Sequence, residues 1–137
     1  MLYSANPASV EHRAAYAAVE GLRKGGSPWF LTWGVVYEFL RVATHSRVFT
    51  RPLTLGAALS FIRHILESPS LEVLRETDTH FFQLEEVTRS APAISGNDLH
   101  DAHMAALMRE HNVRRILTAD RGFKRFGNVE VIDPVHV

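Results

Sequence analysis

NDLHDAHMAALMREHNVRRILTADRGF, residues 97–123, runs from an alanine-rich segment through a short apolar stretch into a glycine turn. The first part repeats its apolar positions at helical spacing, while RRILT is short, apolar at its centre and bounded by turn residues. A helix feeding a strand is the unit of an α/β domain with a mainly parallel sheet, because parallel strands need a long crossover that a helix supplies. Asp120 stands two residues beyond RRILT. Functional groups in such sheets collect past the carboxyl ends of the strands, so position alone makes Asp120 a candidate.

Working outward, the same alternation holds. On the amino-terminal side, SVEHRAAYAAVEGLRK reads as a helix with Ser9 as N-cap and Gly25 and Gly26 as its stop. WFLT after Pro28 is a short buried strand. Thr32 then caps a helix through WGVVYEFLRVATH, largely buried along Val35, Phe39 and Val42 and the neighbouring Val36, Leu40 and Ala43. Thr54 caps the next, in which Leu55, Leu59, Ile62 and Leu66 repeat at helical spacing up to Pro69. LEVLR at 71–75 alternates like a strand, and TDTHFFQLEEVTRSAP is a helix stopped near Pro92. After RRILT come the loop ADRGFKRFG and a last short strand, NVEVID. No repeat or linker interrupts the pattern, so residues 1–137 are expected to form one domain.

Composition narrows the function classes. Fifteen basic and fifteen acidic side chains give a formal net charge of zero, so any grip on a polyanion must be local. The basic residues cluster at Arg41, Arg47 and Arg51 and again at Arg114, Arg115, Arg121, Lys124 and Arg125. Cysteine is absent, which excludes disulfide and thiolate chemistry and fits a reducing cytoplasm. No apolar stretch approaches the roughly 18 residues of a membrane span, and MLYSANPASVEHR lacks the pattern of a signal peptide.

Three of the five aspartates fall between 98 and 120. Asp98 reads as the N-cap of its helix, with Asp101 three residues on in the position of a capping box, and both suit the positive end of the helix dipole. Asp101 reaches back poorly to a cap and adjoins Ala102, Ala105 and Ala106, so it has the alternative of facing the sheet. Glu38, between Tyr37 and Phe39, either pairs with Arg41 at i,i+3 or is held by a cation, because a buried carboxylate is costly without a partner. His100 and His103 are spaced to share a metal, and His100–Asp101 has the form of an HD phosphohydrolase dyad. The mixed helix and strand pattern argues against that all-helical class. The other histidines, His80 among them, read as surface or packing residues. Glu38, Asp101 and Asp120 together offer three hard oxygen ligands from separate elements, a set suited to Mg²⁺ or Mn²⁺ and to activation of a water for attack on phosphorus.

The stretches LTWGVVYEFLRVATHSRVF, GNDLHDAHMAALMREHNVRRILTADRGFKRF and VIDP resemble, in order and spacing, PIN-domain proteins of the VapC toxin type. The resemblance runs from about Leu2 to Pro134. It implies a parallel sheet flanked by helices, metal-dependent endoribonuclease activity with Mg²⁺ or Mn²⁺, an RNA substrate, a cognate antitoxin and a homodimer. By position, Glu38 matches the acid of the family's Glu-Phe motif, Asp101 that of Asp-Ala-x-x-Ala-Ala, and Thr118 and Asp120 its Thr-x-Asp motif, with Phe123 the aromatic that follows. Thr118 would orient an acid or a water, Asp98 would support Asp101, and Arg114, Arg115, Arg121 and Lys124 are candidates for RNA phosphate contacts.

One motif departs. The family's N-terminal strand has the form Asp-x-Asn-x-Leu-x-Tyr, and Met1–Ala5 match only its tail. Its aspartate would stand about four residues before Met1, so the first, central strand is expected to be truncated, through a start set too late or at a cost in stability. Three functions follow as expectations. The first is a metal-dependent RNA-cleaving toxin, the second a catalytically weak PIN scaffold that binds an antitoxin or a like subunit, and the third an HD-type phosphohydrolase.

Overall fold

Two threonines start helices as their positions predict. In a computed structural model describing residues 1–91, 93–127 and 129–136, Thr32 Oγ1 accepts from the Val35 amide at 3.2 Å and Thr54 Oγ1 from the Ala57 amide at 3.1 Å. Each satisfies an amide that the helix itself leaves without a partner. The chain runs α1 (Leu2–Ala5), α2 (His12–Lys24), β1 (Trp29–Thr32), α3 (Trp33–Ala43), α4 (Leu55–Leu66), β2 (Leu71–Leu74), α5 (His80–Ser90), α6 (Asp98–Glu110), β3 (Arg115–Leu117), a 3₁₀ turn (Arg121–Phe126) and β4 (Glu130–Ile132). Among the described residues β1 pairs with β2, and β3 pairs with β4 in parallel, Ile116 opposite Val131. This is the α/β pattern expected, with the parallel geometry seen in β3 and β4. No helix among the described residues is long and apolar enough to cross a membrane.

Several local expectations change. Leu2–Ala5 is a helical turn rather than the tail of a strand, with Ser4 donating to the Met1 carbonyl. Ser9 does not cap α2. Its hydroxyl bonds to the Glu11 carboxylate and accepts from the Glu11 amide, a local turn that delays the helix to His12. Gly25 ends α2 as expected. The segment after Asp120, read as a loop, is a 3₁₀ turn whose N-cap is Asp120 itself. The expected stop at Pro92 and the start of the last strand at Asn128 lie outside the described residues.

The chain divides into two compact units, Met1–Val73 and Leu74–Val137. The first is centred on Val19, Leu31, Val36, Phe39, Ala58, Ile62 and Ile65. Phe39 and Ile65 are almost fully enclosed, each worth about 1.5–3 kcal/mol of burial. On α4 the buried stripe is Ala58, Ile62 and Ile65, whereas Leu55, Leu59 and Leu66 of the expected stripe are exposed. Glu20 ties α2 to α4. Its carboxylate accepts from Arg23 at 3.0 Å and lies 2.9 Å from His64 Nε2, with Lys24 at 3.3 Å.

The Arg23 bond, then that to His64, holds the Glu20 carboxyl down at about 2, against a usual 4.5. A carboxylate depressed by folding stabilises the native state fully above pH 4.5, and that contribution disappears as pH falls toward 2. Glu20→Gln is therefore expected to lower the thermal midpoint at neutral pH and to flatten its decline between those two values. Thermal melts across the acid range measure both.

The second unit packs α6 through Ala102, Ala105, Ala106 and Met108 against Val87 of α5 and Phe123 and Phe126 of the 3₁₀ turn. Alanines let the neighbouring backbones approach closely. Asn112, at φ 55°, takes the left-handed position beyond the helix end, and the Val113 amide returns to the Met108 carbonyl at 2.8 Å. Asparagine tolerates that conformation at small cost, so the helix stops there and the chain turns into β3.

Candidate functional site

Two short elements bring the acids of the second unit together. The 3₁₀ turn holds Asp120 at its start, where Oδ1 accepts from the Gly122 amide at 2.8 Å and the Asp120 amide donates to Thr118 Oγ1 at 3.1 Å. Thr118 is itself placed by β4, its amide donating to the Ile132 carbonyl at 3.0 Å. The threonine therefore shapes the turn that carries Asp120. On the facing helix, Asp98 and Asp101 lie in the first turn of α6. One guanidinium nitrogen of Arg125 reaches both, at 3.0 Å from Asp98 Oδ1 and 3.1 Å from Asp101 Oδ2. The same guanidinium sits over the Phe126 ring, 5.0 Å from its centroid.

The capping expectation for Asp98 gives way. Asn97 precedes the helix as its N-cap without a side-chain bond, and Asp98 is the first helical residue, turned to Arg125. The Asp98–Asp101 capping box is replaced by a shared arginine. Propensity favoured Asp98 as a cap, but a carboxylate gains more from a charged partner than from an amide at a solvated helix end.

Asp101 carries the electrostatic signature of the cluster. Burial first, then the charge of Asp120, pushes its carboxyl above the usual range, with Asp98 adding to the effect and Arg125 opposing it. Three acids against one guanidinium leave an excess of negative charge on hard oxygen donors. That donor set fits a divalent cation such as Mg²⁺ or Mn²⁺.

Glu38 belongs to the first unit. It is half-exposed on α3 and takes Arg41 in a bidentate pair, Nη2 at 2.7 Å and Nε at 3.0 Å. The burial cost anticipated for it does not arise. Arg114, Arg115, Arg121 and Lys124 are all exposed. His100 is exposed, and His103 pairs with Glu76 at 2.7 Å.

Arg125 is the residue that reading by position passed over. It appeared only within a basic cluster, and a single 3₁₀ turn gives no periodicity that would rank it above Lys124. Arg125→Ala is expected to leave the three acids unscreened and raise the Asp101 carboxyl further. The sign follows from linkage. A carboxyl raised by folding holds its proton more tightly in the native state, so stability falls as pH climbs through its range. The variant should lose up to about 1 kcal/mol at neutral pH and converge on the wild type in acid, as urea melts at both pH values would show.

The PIN-domain family model matches residues 5–129 and so extends across both units. "VapC ribonuclease Mb2897" of Mycobacterium bovis is 35% identical over 116 residues, covering 85% of this chain and 78% of that protein. Ribonuclease VapC48 of Mycobacterium tuberculosis is 29% identical over 134 residues, covering 98% and 92%. Ribonuclease VapC37 of the same species is 30% identical over 134 residues, with the same coverage. The chain belongs to the PIN-domain family, and its relatives there are VapC-type ribonucleases.

Proposed function

We propose that this protein is a divalent-metal-dependent endoribonuclease, the toxin of a VapBC-type toxin–antitoxin pair acting in the cytoplasm, with residues 1–137 working as one PIN domain. The observation that carries the reading is that Asp98 and Asp101 share Arg125 while the charge of Asp120 acts on Asp101, in a chain whose relatives are named as ribonucleases. Asp101 and Asp120 are the proposed metal ligands, and Glu38, which matches the acid of the family's Glu-Phe motif, is a further proposed catalytic and metal-binding acid. Bound Mg²⁺ or Mn²⁺ would supply a water activated for attack on phosphorus and would offset the charge of the phosphate oxygens. Thr118 holds the Asp120 turn, and Asp98 supports Asp101 through their common arginine. Arg114, Arg115, Arg121 and Lys124 contact RNA phosphates. Exposed apolar side chains on α3 and α4, among them Trp33, Tyr37, Leu55 and Leu59, are the surface offered to the antitoxin and to a second copy in a homodimer.

The test is cleavage of labelled RNA by the purified protein. Activity is expected to vanish in EDTA and to return with Mg²⁺ or Mn²⁺. Cleavage that persists without metal would sink the mechanism.

A further inference from the structure

A second group of metal-competent side chains lies in the same unit, on the other side of α6. Glu76, His80 and His103 each bring one ligand atom within 4.8 Å of the other two. The His80 and His103 rings stand edge to face, centroids 5.3 Å apart, and His103 Nε2 is 2.7 Å from Glu76 Oε1. At about 100° per residue, positions 101 and 103 of a helix point about 200° apart, so His103 faces away from Asp101. Asp101 turns to the 3₁₀ turn through Arg125, and His103 turns to α5 and the segment before it.

The supporting residues give this cluster the form of a built site. Glu110 has a fully buried side chain and spends it on three bonds. Its Oε2 lies 2.6 Å from His80 Nδ1, and its Oε1 accepts from the Thr77 amide at 2.9 Å and the Thr77 hydroxyl at 2.6 Å. A carboxylate accepting the Nδ1 proton of an imidazole fixes the ring's orientation and leaves the lone pair on the other nitrogen. That is the arrangement that supports metal-bound histidines from behind. The segment bearing Glu76 is held on both sides, by Thr77 to Glu110 and by the Arg75 carbonyl 2.7 Å from His111 Nε2. Glu76 is thus presented beside the two rings by a backbone already tied down. Glu76 and His103 remain open to solvent, which leaves room for a coordinated water.

We infer that Glu76, His80 and His103 form a Zn²⁺ site, separate from the acidic cluster, with water completing a tetrahedral shell. Two imidazoles and one carboxylate favour zinc over magnesium, which prefers an all-oxygen shell. The ion would cross-link the segment before α5, α5 itself and α6, so its binding stabilises the folded second unit.

The test uses the full, tag-free chain with Zn²⁺ and with Co²⁺ as a visible-absorbing substitute. Titration calorimetry and Co²⁺ spectra are expected to give one tight site per chain with tetrahedral absorption, distinct from any weaker binding at the acidic cluster, and Zn²⁺ should raise the thermal midpoint. His103→Ala and Glu76→Gln alter a partly exposed and an exposed group and should keep the fold while weakening binding about 100-fold and about 10-fold. An Asp101→Asn, Asp120→Asn double variant should bind Zn²⁺ as the wild type does, whether or not the chain cleaves RNA. Absence of Zn²⁺ binding, unchanged binding in His103→Ala and Glu76→Gln, or loss of the site in the double aspartate variant would each overturn the inference.

Discussion

Asp101→Asn is expected to reduce RNA cleavage about a hundredfold or more while leaving the fold intact. The two effects separate because Asp101 costs stability in its charged form. Burial and the neighbouring Asp120 push its carboxyl upward, so the native state holds that proton more tightly than the unfolded chain does. Stability contributed by such a group falls as pH rises through the carboxylate range, and asparagine removes the fall. The variant should therefore melt at or above the wild-type temperature at neutral pH. An equal loss of activity and of stability would assign Asp101 to the fold instead of the chemistry. Arg125→Ala is expected to change stability in the opposite direction, since it removes the countercharge and keeps the acids.

Phe123→Ala should have the largest effect on stability among changes near the site. Phe123 is buried in the second core, its ring 5.1 Å from that of Phe126 and packed within the cluster that includes Ala102, Ala105 and Ala106. Truncation of such a ring costs about 3–5 kcal/mol through lost transfer energy and the cavity left behind. The 3₁₀ turn has only six residues and little stability of its own, so its anchor decides where Asp120 and Arg125 stand. Activity should fall with stability in this variant. Phe123→Leu, which keeps most of the volume, should recover much of both. Urea melts alongside cleavage assays check the pairing.

Much of this organisation is legible in the residues, for identifiable reasons. Thr32, Thr54 and Gly25 act locally, through one side chain or one backbone angle, and each stands where its chemistry predicts. The Asp-Ala-x-x-Ala-Ala spacing similarly shows α6 packing on alanines with Asp101 at its edge. What stays hidden depends on tertiary partners. On α4, Leu55, Leu59 and Leu66 and the stripe of Ala58, Ile62 and Ile65 are both apolar at helical spacing, and only packing reveals which faces the core. Asp98 satisfies every local rule for a cap, yet an arginine from a turn 27 residues away claims it. His80 reads as a surface or packing residue and His103 as the i,i+3 neighbour of His100, until α5 and α6 pack and bring the His80 and His103 rings together.

Asp101 and Asp120 are proposed as ligands of a divalent cation, and Mn²⁺ binding to the full chain, followed by electron paramagnetic resonance, measures that most directly. Wild-type protein should take up Mn²⁺ at a site that Asp101→Asn and Asp120→Asn each weaken strongly and that Glu76→Gln leaves unchanged. Equal Mn²⁺ uptake by the wild type and both aspartate variants, in preparations that still cleave RNA, would contradict it.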